Sequence, residues 1–124
     1  MKYMIMMFGS QATMMESQSK EWIKEMIEFM HQLHADLTTS GELVEAQGLM
    51  DGSQAKIVSI KDGIPVATDG PYAEAKESII GFWIVDVDSE ARAIEIASRV
   101  VAFIGPAGAP PVEVRRIADA PPEV

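Results

Sequence analysis

The chain is short, acidic and free of cysteine: it has 124 residues, no Cys and a formal net charge of −9 at pH 7. This length fits a single domain that can bury a core without cross-links. The lack of cysteine excludes disulfides and thiolate chemistry and suits a cytoplasmic location. Because the ten Lys and Arg residues are scattered along an acidic chain, no nucleic-acid partner is expected. No apolar run approaches the roughly 20 residues of a bilayer span, so no membrane partner is expected either.

The N-terminal part is predicted to form a strand, a long helix and a second strand. Residues Met1–Phe8 are apolar on both faces, as in a strand at the centre of a sheet. Residues 9–17 are expected to form a loop. A helix should then run from Ser19 to Thr39, with Ser17 or Ser19 as its N-cap and apolar side chains at three- and four-residue spacing. Leu43–Leu49 is the second predicted strand.

A β-hairpin is predicted next. Its arms are residues 54–61 and 64–68, joined by Asp62–Gly63, a dipeptide typical of two-residue hairpin turns. Pro65 has no N–H to donate, so the returning arm is expected to be an edge strand. Ser78–Val87 should then be another strand with two apolar faces. One face would carry Ile79, Gly81, Trp83, Val85 and Val87, and the other Ile80, Phe82 and Ile84.

The C-terminal part is predicted to add one helix and one strand. The helix begins at Asp88 or Ser89, and its apolar stripe is expected to include Ile94, Ala97, Val101 and Ile104. A Gly/Pro/Ala loop at 105–111 leads to a last strand at 112–117 and a loose tail at 118–124.

These elements occur in the order β-α-β, a hairpin insertion, and β-α-β, which is the ferredoxin-like split βαβ layout. In that layout the two strands that precede helices lie at the centre of the sheet, and these are the two with apolar faces on both sides. Two helices cover one face of such a sheet, and a second copy of the chain is the simplest cover for the other. We therefore expect one α+β domain over residues 1–124, with an antiparallel sheet and two helices on one face, assembled as a homodimer.

The segment 68–86, TDGPYAEAKESIIGFWIVD, resembles the YCII-related family, whose signature is an Asp-Gly-Pro-Phe tetrapeptide. Asp69, Gly70 and Pro71 match that signature, and Tyr72 replaces the phenylalanine. The start, MKYMIMMFG, and the ending, PVEVRRI, resemble the same family. The resemblance implies a ferredoxin-like fold in a dimeric α/β-barrel arrangement.

The resemblance also implies a mostly unassigned function. Some bacterial members are encoded beside, or linked to, extracytoplasmic-function sigma factors. Short relatives are thought to pair a His early in the first helix with an Asp in a cleft, and one is similar to a dehydrochlorinase. In this chain the histidines fall later in that helix, at His31 and His34.

The tetrapeptide and the charges that follow it have two readings. Asp69 to Tyr72 could form a pocket rim, with Asp69 as base and Tyr72 as an aromatic wall, but turn chemistry alone also explains the first three residues. Glu77, with Glu74 and Lys76, could line a polar cleft, where desolvation would raise its pKa, or could lie in a solvated loop.

Other candidates lie on the first helix and on two strands. His31 and His34 project from one side of the helix. They could be two metal ligands, a base with its orienting partner, or residues at the boundary of the core. Arg115 could hold a carboxylate or phosphate, or it could pair with Glu113 or with an acidic residue of a partner subunit. Gly81 removes a side chain from a bulky strand, and Trp83 follows on the same face, so both are expected to border a cavity with Tyr72 and Glu77.

The sequence thus supports two hypotheses. One is a small-molecule-binding or lyase-like acid/base protein without metal or cofactor. Its catalytic candidates are Asp69, Glu77 and His34, and its ligand-binding candidates are Tyr72, Gly81, Trp83, His31 and Arg115. The other is a non-catalytic regulatory or partner-binding module, linked to an extracytoplasmic-function sigma factor.

Overall fold

A computed structural model describes residues 1–70 and 78–123. The strands are β1 (Lys2–Phe8), β2 (Leu43–Gly48), β3 (Lys56–Lys61), β4 (Ile64–Asp69), β5 (Ile79–Asp86) and β6 (Glu113–Arg116). The helices are α1 (Gln11–Ser17), α2 (Lys20–Thr39) and α3 (Glu90–Ile104). The predicted α+β class is confirmed.

Four strands form one antiparallel sheet in the order β2-β5-β1-β6. The two strands predicted to be central, β1 and β5, are central, and Ile5 of β1 pairs with Trp83 on one side and Val114 on the other. This order is compatible with the ferredoxin-like layout. The remaining strands, β3 and β4, form the predicted hairpin, and among the described residues they pair only with each other.

The core lies between one face of the sheet and helices α2 and α3. Leu33 and Leu37 of α2 are fully buried against it, as are Ile96 and Val100 of α3. Arg92 of α3 also donates from Nε and Nη2 to the two carboxylate oxygens of Glu42, each at 2.8 Å, and so ties the start of β2 to α3. Within the described ranges, no helix has both the length and the apolar character needed to cross a bilayer.

The segment 9–17, predicted to be a loop, forms α1 instead. Its N-cap is Ser10, whose Oγ accepts a hydrogen bond from the Thr13 N–H at 3.2 Å. None of its residues is buried, so it has no apolar stripe from which a helix could be predicted. Of the two proposed caps for α2, Ser19 is the one that acts, accepting from the Trp22 N–H at 3.0 Å.

Two predictions about which side chains face the core are wrong. In α3, Ile94 is 51% exposed and Val101 is 40% exposed, because the buried stripe runs one position earlier. It comprises Ala93, Ile96, Ala97, Val100 and Ile104. In β5, Ile80 is buried among the core residues, because the pairing with β1 passes from Gly81 directly to Ile79. This irregularity turns Ile80 and Gly81 both inward.

The other face of the sheet carries a central apolar stripe. Met4 pairs with Ile84, and Met6 with Phe82, and all four are half-buried in the single chain. The ion pair between Arg115 and Glu113, with 2.7 Å between Nη2 and Oε2, lies beside them on β6. We call this surface the open face; Met4, Met6, Phe82 and Ile84 are neither part of the buried core cluster nor among the partly buried residues packed against it.

Candidate functional site

A cavity of about 390 Å³ lies between α2 and the part of the sheet where β2 pairs with β5. We call it the His34 cavity. Its walls come from α1, α2 and the strands β1, β2 and β5. Three of the predicted site residues line it together: His34, Gly81 and Trp83. Helix α1 closes part of this cavity. The cavity therefore does not follow from the sequence prediction, in which residues 9–17 form a loop.

A glycine pair on the sheet contributes to the lining of this cavity. Gly81 pairs with Met7 on β1 and with Gly48 on β2, and strand alternation puts Gly81 on the same face as Trp83. A Cβ at Gly81 would lie 3.2 Å from the Gln47 carbonyl oxygen, whereas a Cβ at Gly48 would meet no described atom within 4 Å. Gly48 therefore leaves open space where a larger side chain would fill the cavity.

Five methionines supply much of the remaining lining. They come from β1, α1 and α2, and they are Met7, Met14, Met15, Met26 and Met30. A methionine side chain has three rotatable bonds and a polarisable sulfur, so it adapts to ligands of different outline. The position of α1 shows that these methionines surround one space.

His34 and Trp83 form one polar contact at this cavity, whose lining also includes Gln11 and Gln47. The Trp83 Nε1–H donates to His34 Nε2 at 2.9 Å, and the two rings meet edge to face with centroids 6.3 Å apart. Since Nε2 accepts, the neutral ring carries its proton on Nδ1. Burial lowers the pKa of His34 below its usual value, and the nearby His31 lowers the pKa further. The imidazole is therefore neutral at pH 7, with Nδ1–H as a donor and Nε2 already occupied.

Of the two carboxylate candidates, Asp69 lies away from the His34 cavity and Glu77 lies outside the described residues. Asp69 ends β4 in the hairpin, where its side chain is 86% exposed and pairs with the Lys56 ammonium. It does not line the His34 cavity. Tyr72 and Glu77 lie outside the described residues, so their position at a cavity remains a prediction.

The last two candidates also lie away from the cavity lining. His31 is exposed on α2, one turn before His34. Arg115 belongs to the open face and pairs there with Glu113. The described ranges contain no group of three or more His, Asp or Glu side chains arranged to hold a metal ion.

The residues that sequence reasoning missed are Gly48, Gln11 and the α1 methionines. Gly48 was visible only as the end of a strand, and its importance follows from its register opposite Gly81. Gln11 donates from Nε2 to the Leu49 carbonyl oxygen and so fixes α1 to the end of β2. Neither contact leaves a periodic signal in the sequence.

Comparison with known proteins agrees with the resemblance carried by segment 68–86. No curated protein matches the chain. A family model described as the YCII-related domain matches residues 1–119, which is almost the whole length. The open sheet, its two central strands and the tetrapeptide segment thus fall within one matched region, and the chain belongs to the YCII-related family.

Proposed function

We propose that this protein binds a small, largely apolar molecule in the His34 cavity. One observation carries the proposal: a mostly apolar cavity of about 390 Å³ is lined by the hydrogen-bonded His34–Trp83 pair and by Gly48, which leaves open space. This volume falls in the range of roughly 300–1,000 Å³ found for small-molecule sites. Apolar walls with a few placed polar groups are also typical of such sites.

The state of His34 defines the polar part of the ligand. A neutral imidazole with its proton on Nδ1 offers a donor, so a ligand that reaches it should present an acceptor such as a carbonyl or hydroxyl oxygen. The net charge of −9 disfavours an anionic ligand over a neutral one. We therefore propose a neutral ligand with one oxygen acceptor.

A binding role is favoured over a lyase-like acid/base reaction. His34 Nε2 is occupied by Trp83, Asp69 pairs with Lys56, and no carboxylate of the described residues lines the cavity. A lyase-like reaction would have to rely on Glu77. If Glu77→Gln leaves ligand affinity unchanged but abolishes turnover of a bound compound, the acid/base alternative is correct.

Binding can be tested with the neutral dye N-phenyl-1-naphthylamine, whose fluorescence rises in apolar sites. Wild-type protein should bind the dye, and Gly48→Leu, which adds a side chain into open space, should weaken binding at least about tenfold by filling the site. Ala67→Leu is the matched control, because it adds a leucine on the exposed hairpin. Equal dye affinity in Gly48→Leu and wild type would contradict the proposal.

We also propose that the open face is covered by a second copy of the chain. Met4, Met6, Phe82 and Ile84 form an apolar stripe outside the buried core cluster, and the resemblance to the YCII-related family implies a dimer. Burying this stripe would stabilise the dimer by roughly 25 cal/mol for each Å² of apolar surface removed from water. Sedimentation should show a dimer that Met4→Lys dissociates, whereas a monomeric wild type at micromolar concentration would contradict this.

A partner-binding module is the second candidate function, and the hairpin favours it. Val58, Ile60 and Ile64 are 69%, 68% and 63% exposed, which is unusual for three large apolar side chains within one hairpin. Such a surface is typical of a protein contact. If Ile60→Lys leaves dye binding and the dimer intact but removes association with a co-purified protein, the hairpin serves a separate partner.

A further inference from the structure

A second cavity, of about 320 Å³, lies on the other side of α1. We call it the Trp22 cavity. Its own lining includes Trp22 of α2, Thr13 and Ser17 of α1, and Ile104 and Ala107 at the end of α3. It is also mostly apolar, and the hydrogen-bonded His34–Trp83 pair is not part of it.

Among the described residues, three side chains line both cavities and form the boundary between them. Met7 and Ile80 form its floor on the sheet, and Met14 of α1 completes it from above. Two of the three are methionines, whose thioether chains change rotamer readily. Ile80 stands there because the β1–β5 pairing skips it and turns it toward the helices.

Helix α1 lies across this boundary and is held mainly by polar contacts near its ends. Near its start, the Ala12 N–H donates to Asp51 Oδ1 at 3.2 Å and Gln11 donates to the Leu49 carbonyl oxygen. After its end, Gln18 Nε2 donates to the Ala107 carbonyl oxygen at 3.3 Å. With no buried residue of its own, α1 can stay attached while its own Met14 side chain and that of Met7 on the sheet change rotamer.

We infer that the two cavities are the two ends of one elongated site, which takes a linear, neutral apolar chain with its oxygen at the His34 end. This inference rests on the proposed function and adds the shape of the ligand. The polar end contacts His34, the chain passes between Met14 and the Met7–Ile80 floor, and its far end occupies the Trp22 cavity. A compact ligand would fill the His34 cavity alone.

The test uses 1-hexanol, 1-octanol, 1-decanol and 1-dodecanol, each measured by displacement of N-phenyl-1-naphthylamine. If every added CH₂ is buried, affinity should rise about fourfold per CH₂ through the series. Ala107→Leu should shorten the Trp22 cavity: 1-hexanol binding should stay within about twofold of wild type, and 1-dodecanol binding should weaken at least about tenfold. Ala102→Leu is the matched control, because Ala102 is exposed on α3 and lines neither cavity.

A second measurement uses the wild-type protein, so it does not depend on whether Ala107→Leu folds correctly. The methyl NMR signals of Ile104, which lines only the Trp22 cavity, should shift with 1-dodecanol and not with 1-hexanol. If 1-hexanol binds and Gly48→Leu blocks it, but 1-dodecanol binds equally to Ala107→Leu and leaves Ile104 unshifted, the proposed function stands and the elongated site is wrong. If no alcohol displaces the dye, both are wrong.

Discussion

Replacing His34 by leucine removes the acceptor of the Trp83 indole N–H, and this change tests the site and the stability of the fold together. Trp83 is only 4% exposed, so water cannot readily replace the lost acceptor. Leaving a buried donor unsatisfied costs about 1–3 kcal/mol of unfolding free energy, and the half-buried position of His34 places our expectation at about 1–2 kcal/mol. In a domain of this size the melting temperature falls roughly 4 °C per kcal/mol.

The lowered pKa of His34, caused first by burial and then by the nearby His31, makes the stability depend on pH. Because the folded pKa of His34 is lowered, the unfolded chain binds the proton while the folded protein still excludes it. The stabilisation is therefore fully present above the ordinary value of 6.5 and is lost as pH falls through the folded pKa. His34→Gln should keep an acceptor for Trp83 and remove this pH dependence.

Urea unfolding followed by circular dichroism, at one protein concentration and between pH 5.0 and 7.5, measures both effects. A double-mutant cycle of His34→Leu and Trp83→Phe should give a coupling energy of about 1 kcal/mol at pH 7.5 and less at pH 5.0. A coupling energy near zero at pH 7.5, or the same pH slope in wild type and His34→Gln, would refute the reasoning.

Three further changes have expected outcomes. The bidentate contact with Arg92 lowers the pKa of Glu42 to about 2. Glu42→Gln should therefore lower the free energy of unfolding by about 1 kcal/mol at neutral pH, a figure that allows for solvent screening. In acid unfolding, the difference in stability between the variant and wild type should vanish as pH falls from 4.5 toward 2. Gly81→Val should cost about 1–3 kcal/mol in urea unfolding, because its Cβ would press on the Gln47 carbonyl oxygen; unchanged stability would contradict this. Asp69→Ala should cost less than about 1 kcal/mol, since its ion pair is exposed; a larger loss in thermal melts would show that Asp69 holds the tetrapeptide turn.

Strand and helix patterns were enough to predict the sheet, because β1 and β5 carry apolar side chains on both faces and so form continuous apolar runs. The same reasoning failed for α1, because none of its residues is buried. It also failed for part of the buried stripe of α3, because Ile94, which is exposed, and Ile96, which is buried, are equally apolar. A rotation of one residue around a helix cannot be decided by hydrophobicity when both alternatives contain apolar side chains.

The site was predictable only in part for a related reason. Gly81 and Trp83 were recognised as cavity residues because a glycine in a bulky strand implies missing volume. Which side chains complete the wall depends on register and on α1, and neither follows from local pattern. Gly48 matters only because it pairs with Gly81, and Ile80 divides the two cavities only because the β1 pairing skips it.

The hairpin of β3 and β4 shares no hydrogen-bonded ladder with the four-stranded sheet in the described part of the chain. An isolated two-stranded hairpin is marginally stable in water, so its strands can separate without disturbing β1 or β5. The amide protons of Ile57 and Val66 should therefore exchange with deuterium through local opening, at rates that added denaturant hardly changes. The amide protons of Ile5 and Val85 should exchange only through global unfolding. The protein would then combine a slowly exchanging core with an arm that samples open conformations on a much shorter timescale.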